Sequence, residues 1–149
     1  MGFHYLICSA GAGDVLSDDE RKLAETTAEL LATKGVRFDA ALVSPHGSAP
    51  ATAKIVLEAT GFEGEPVLLK ALSPGVPPQV SLRAIFGKGN AVAVFGHETS
   101  LASLCGLLVG QASYGAFRRG LVIAVDGREP AWRLEPEKRS IIPLMLERK

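Results

Sequence analysis

The chain has 149 residues, 47% of them hydrophobic and 21% charged, which fits one ordinary globular domain over residues 1–149 with a sizeable core. Lys+Arg and Asp+Glu both number 16, so the near-zero net charge argues against a non-specific nucleic-acid binder or a polybasic membrane-surface protein. No run approaches 18 apolar residues, the N-terminus lacks a basic signal-like region, and Leu6 breaks a myristoylation pattern. Cys8 and Cys105 form neither a CxxC pair nor a zinc-spaced cluster, so no metal or cofactor is expected and a reduced, cytoplasmic state is.

Phe3 to Cys8 reads as a first strand, ending in the small-residue loop Ser9-Ala10-Gly11-Ala12-Gly13. Ser17 and Glu20 have capping-box spacing, and a helix from about Asp18 to Lys34 should end at Gly35, with Leu23, Thr27, Leu30 and Leu31 on one face. Ala40 to Val43 is the second strand. Ser48 is placed to cap a second helix, with Pro50 in its first turn, Ile55 and Ala59 on its apolar side and Gly61 at its end.

Val67 to Leu69 is a short third strand. Ser73-Pro74-Gly75 is a turn, and Pro77-Pro78 opens a helix through about Phe86. Ala91 to Phe95 is a continuous apolar run, the mark of a buried central strand. Thr99 or Ser100 should cap the next helix, in which Leu101, Leu104, Cys105 and Leu108 repeat at helical spacing. Phe117 to Val125 and Ala131 to Leu134 flank Asp126-Gly127, a hairpin signal. Ile141 to Lys149 is an apolar tail with charges at its end, a candidate for docking on the core or on a second copy of the chain.

Alternating strands and helices predict an α/β fold of three layers, α/β/α, with a mostly parallel central sheet, helices on both faces and a C-terminal hairpin. In such sheets sites form beyond the carboxyl ends of the strands. Three segments fall there: Cys8 to Gly13, Ser44 to Ser48 and Gly96 to Glu98. Cys8, Ser9, Gly11, Ser44, His46, Ser48, His97 and Glu98 are therefore the candidate pocket residues. Gly11-Ala12-Gly13 could cradle an anion on backbone amides, although the run is not GxGxxG because position 16 is Leu.

These segments resemble the active-site segments of the histidine phosphatase superfamily, of phosphoglycerate mutase-like fold, and most nearly its short SixA-type phosphohistidine phosphatases. Cys8-Ser9-Ala10 stands where that family has Arg-His-Gly or Arg-His-Ala. Asp18 to Leu23 is similar to its Asp-x-x-Arg-Pro-Leu stretch. Ser44 to Ala53 matches Ser-Pro-x-x-Arg-Ala-x-x-Thr-Ala except that Ser48 replaces the arginine, and Val92 to His97 matches an apolar strand followed by Gly-His. Leu72 to Gly75 is similar to the loop before the third helix. The resemblance spans roughly residues 3 to 125.

The resemblance implies a phosphoryl site in which the first histidine attacks phosphorus while two arginines and a second histidine neutralise its oxygens. Here Ser9 occupies the nucleophile position, both arginines are absent, and only His97 of the four is retained. The expectation is an inactive or strongly impaired binding or regulatory pseudophosphatase, recognising a phosphorylated protein or small anionic ligand, with no confident catalytic residue. One alternative is a phosphohistidine or phosphoester hydrolase whose relocated nucleophile (Ser9, Cys8 or His46) is assisted by His97, with Asp14 or Glu98 as orienting carboxylate. The other is a structural or oligomeric protein with a vestigial pocket, assembling through the C-terminal tail. Lys54, Arg83 and Arg118 are the cations considered as replacements for the missing arginines, while the Arg118-Arg119 pair otherwise reads as a solvated strand end.

Overall fold

The computed structural model describes residues 2–144. In chain order the elements are β1 (Phe3–Cys8), α1 (Asp18–Lys34), β2 (Ala40–Val43), α2 (Ala49–Ala59), β3 (Val67–Leu68), α3 (Pro78–Ile85), β4 (Ala91–Gly96), α4 (Glu98–Val109), β5 (Val122–Asp126), β6 (Glu129–Glu135) and β7 (Ser140–Pro143). The strands form one sheet in the order β3-β2-β4-β1-β5-β6-β7. From β3 to β1 all pairings are parallel. From β1 to β7 they are antiparallel, with β5, β6 and β7 following one another through short connections after α4.

Strand alternation sets the layers. Tyr5 and Ile7 of β1 pack with Ala28 and Leu31 of α1 and Ala53 and Val56 of α2. Leu6 and Cys8 point the other way, to Leu101, Leu104 and Cys105 of α4 and Ile85 of α3. Central β4 is fully buried from Val92 to Phe95, as its continuous apolar run requires.

The local signals explain α1 well. The Glu20 amide donates to Ser17 Oγ (3.2 Å) and the Ser17 amide donates to Glu20 Oε1 (2.9 Å), the reciprocal capping box. Gly35 ends the helix at φ 86°, a left-handed conformation that glycine adopts without a Cβ penalty. Ser17→Ala is expected to lower stability by about 1 kcal/mol, measured by urea denaturation.

Several expectations need correcting. The buried row of α1 is Ala24, Thr27, Ala28 and Leu31, while Leu23 and Leu30 flank it half-buried. Thr27 is inside because its hydroxyl donates to the Gly120 carbonyl (2.7 Å). Helix α2 buries Thr52, Ala53, Val56 and Leu57. Ile55 is half-buried at the edge of that face and Ala59 is exposed. Strand β3 is only two residues long. His97, not Thr99 or Ser100, holds the N-cap position of α4.

Residues 117–121 are not strand. Gly120, at φ 76°, turns the chain so that the Leu121 amide donates to the Arg118 carbonyl (2.9 Å). The hairpin turn centres on Gly127-Arg128, with Gly127 at φ 63° in the first central position. The described part of the tail forms β7 on β6 of its own chain, with Leu144 buried, and residues 145–149 lie outside the described residues.

Candidate functional site

The carboxyl ends of β1, β2 and β4 are tied together by backbone hydrogen bonds. The Ser9 amide donates to the Gly96 carbonyl (2.9 Å) and the Ser44 amide to the Phe95 carbonyl (3.0 Å). Beside these ends lies a cleft of about 560 Å³. Cys8, Ser9, Gly11, His97 and Glu98 line it, together with Ala12, residues 74–78, the first turn of α4 and Arg119. Of the other expected pocket residues, Ser44 and Ser48 are fully buried behind the cleft wall, and His46 is exposed outside the lining.

The loop after β1 is held from behind by the start of α2. Ser48 makes no capping bond to its own helix. Its hydroxyl accepts from the Gly11 amide (3.0 Å), donates to the Gly11 carbonyl (2.9 Å) and is bonded to the Ser9 hydroxyl. Ser9 Oγ also lies 3.2 Å from the Gly11 carbonyl. Thr52 Oγ1 accepts from the Ala10 amide (3.0 Å). The amides of Ser9, Ala10 and Gly11 are thus engaged within the protein, so this loop offers fewer open amides than its glycines suggested.

His97 owes its position to the β4–α4 junction. Its Nε2 is 2.8 Å from Ser44 Oγ, which also accepts the His46 amide (3.2 Å). Burial lowers the pKa of His97, and the nearby His46 lowers it further, so the imidazole is held neutral. Cys8 is 1% exposed. Burial first, then the Glu98 charge, pushes its thiol up to about 12 against the opposing pull of Arg119. At neutral pH it is a thiol rather than a thiolate.

Arg119 is the cation in the cleft wall, and sequence reasoning missed it. Its Nη1 is 3.2 Å from Glu20 Oε2. Its sequence signal was the neighbouring Gly120, whose left-handed turn ends the supposed strand and turns the chain beside the cleft. Lys54, Arg83 and Arg118 are exposed and do not line the cleft. Asp14 borders a separate groove with Arg21 and Lys54. Among the described residues, no group of three or more His, Cys, Asp or Glu side chains could hold a metal ion, and both cysteines are free.

No family model and no curated protein matches this sequence. Solved structures do. A SixA protein histidine phosphatase complexed with tungstate is 19% identical, covers 93% of this chain and 99% of its own, and superposes with a TM-score of 0.79. Phosphoserine phosphatase from Entamoeba histolytica, in complex with 3-phosphoglyceric acid, is 14% identical over 88% of this chain and 94% of its own, with a TM-score of 0.64. Phosphoglycerate mutase from Plasmodium falciparum is 13% identical over 97% of this chain and 90% of its own, also with a TM-score of 0.64. The chain therefore has the phosphoglycerate mutase-like α/β fold shared by SixA and other histidine phosphatases.

Proposed function

We propose that this chain is a pseudophosphatase: a binding or regulatory module that takes a phosphorylated or other anionic group in the cleft beside Ser9 and Arg119 without hydrolysing it. The observation that carries the reading is the end of β1. Phosphoryl transfer needs an attacker there, and the structure has Ser9, whose hydroxyl is engaged with Ser48 and the Gly11 carbonyl. His97 is bonded through Nε2 to Ser44 rather than to Ser9. The Cys8 thiol is buried and protonated, and His46 stands outside the cleft.

Anion binding is favoured by Arg119 and by the N-terminus of α4, and opposed by Glu98. SixA of the same fold binds tungstate, an oxyanion of phosphate-like geometry. The free buried thiols suit a reducing, cytoplasmic compartment.

The test is turnover by the native chain. A phosphohistidine peptide and p-nitrophenyl phosphate are each expected to be hydrolysed at the rate of a protein-free control, and no phosphoenzyme should be trapped on acid quench. Turnover above control that disappears in His97→Ala would overturn the reading.

A further inference from the structure

A second cavity, of about 630 Å³, opens at the other end of the sheet. It is lined by His4, Leu82, Phe86, Leu107, Leu108 and Arg128, among others. Five residue steps along β1 lead from His4 to Ser9, about 16 Å at the usual rise of a strand, so this cavity is distinct from the cleft.

Two aromatic rings mark the wall of this cavity. His4 is 8% exposed, and neither ring nitrogen has a hydrogen-bond partner. The Ile85 carbonyl is near enough to oppose the pKa lowering that burial imposes, but it does not satisfy the ring geometrically. Phe86, just past the end of α3, is 68% exposed and lies over His4 with ring centroids 6.5 Å apart and planes at 17°. An imidazole edge and a phenyl ring in water thus line the same space, while both imidazole nitrogens are shut off from it.

A third feature adds charge. Arg128 sits in the β5–β6 turn, with its guanidinium beside Gly110 at the C-terminal end of α4. It makes no ion pair among the described residues. Cavities of this size with mostly apolar walls and a few convergent polar groups are the usual form of small-molecule sites.

We propose that this cavity binds a small planar aromatic or heteroaromatic carboxylate. The ligand ring stacks on Phe86 and packs on Leu82, Leu107 and Leu108. The accessible edge of the His4 ring packs against the ligand, and Arg128 takes the carboxylate in a charge-assisted pair.

The full chain, labelled with 15N and 13C, would be titrated with 2-naphthoate to about 10 mM, a range that captures millimolar sites. The expected result is saturable change in the His4 imidazole and Phe86 ring resonances, with the Ser9 and His97 signals unmoved. Arg128→Gln should weaken binding about tenfold, and the cationic analogue 2-naphthylmethylamine should not bind. Phe86→Ala, at an exposed position that folding tolerates, should abolish it. The proposal is overturned by any of three results. These are unmoved His4 resonances, equal binding of the cation and the carboxylate, or concentration-dependent His4 shifts without ligand, which would mean that a second copy fills the cavity.

Discussion

The combined variant Cys8→Arg, Ser9→His, Ser48→Arg is expected to bind tungstate about 10²–10⁴-fold more tightly than the native chain. Each restored guanidinium adds a hydrogen bond to a charged group, worth about 1.5–3 kcal/mol, and two give about 3–6 kcal/mol. The fold already presents the positions: Cys8 and Ser9 line the cleft, and Ser48 stands directly behind Ser9. Given p-nitrophenyl phosphate, the same variant should form a trappable phosphohistidine at position 9 as the P–O bond breaks and p-nitrophenolate leaves, since an attacker and its counter-charges then coincide.

Ser48→Arg alone should behave differently. It removes the hydroxyl that joins the Gly11 amide and carbonyl to Ser9, and leaves a guanidinium with no anion beside it. That single change should destabilise the chain without adding turnover, and the effects should be far from additive because the residues touch. Isothermal titration with tungstate measures the first quantity and urea denaturation the second. Equal tungstate affinity in the native and triple variants would show that the cleft gets its cationic character elsewhere, with Arg119 the first candidate.

Legibility in the sequence followed the range of the interactions. Ser17 and Glu20 announced α1 because both halves of a capping box lie within one turn of helix. The run from Ala91 to Phe95 announced a central strand because burial on both faces leaves no polar position. From these came the mostly parallel sheet and the placing of Ser9 and His97 at one end of it.

The site's electrostatics were less legible, because they depend on contacts between distant residues. Arg119 reaches the cleft through a turn at Gly120 that packs against Thr27, 93 residues earlier. Ser48 looked like a helix cap, since serine before a helix usually is one, but its hydroxyl serves a loop 37 residues away. Gly11-Ala12-Gly13 looked like free amides, and only the positions of Ser48 and Thr52 reveal that the Gly11 amide and its neighbour at Ala10 are taken. His4 drew no notice as one residue of an apolar run, and its lack of partners is a property of the packed core.

Mild acid is expected to weaken the fold well before its carboxylates titrate. His4 and His97 both have pKa values lowered from the ordinary 6.5, chiefly by burial. An unfolded chain binds protons at these sites near pH 6.5, whereas the folded chain resists them, so below that pH the unfolded state holds more protons and is favoured. The sign is therefore a loss of stability as pH falls from 6.5 towards the lowered folded values, with full stability above 6.5. The slope reaches at most about 1.4 kcal/mol per pH unit for each fully titrating histidine, and less for half-buried His97, which solvent screens. Glu20 and Glu135 have carboxyls held below the usual 4.5, so their contributions are lost only in stronger acid and do not confuse the window. Urea denaturation at steps between about pH 8 and pH 5 measures the slope. His4→Phe should remove the larger part of it, because a phenyl ring needs no partners and takes no proton. A stability profile flat across that interval in the native chain would mean that both imidazoles find water or a partner on protonation, and the account of His4 as an orphaned ring would fall with it.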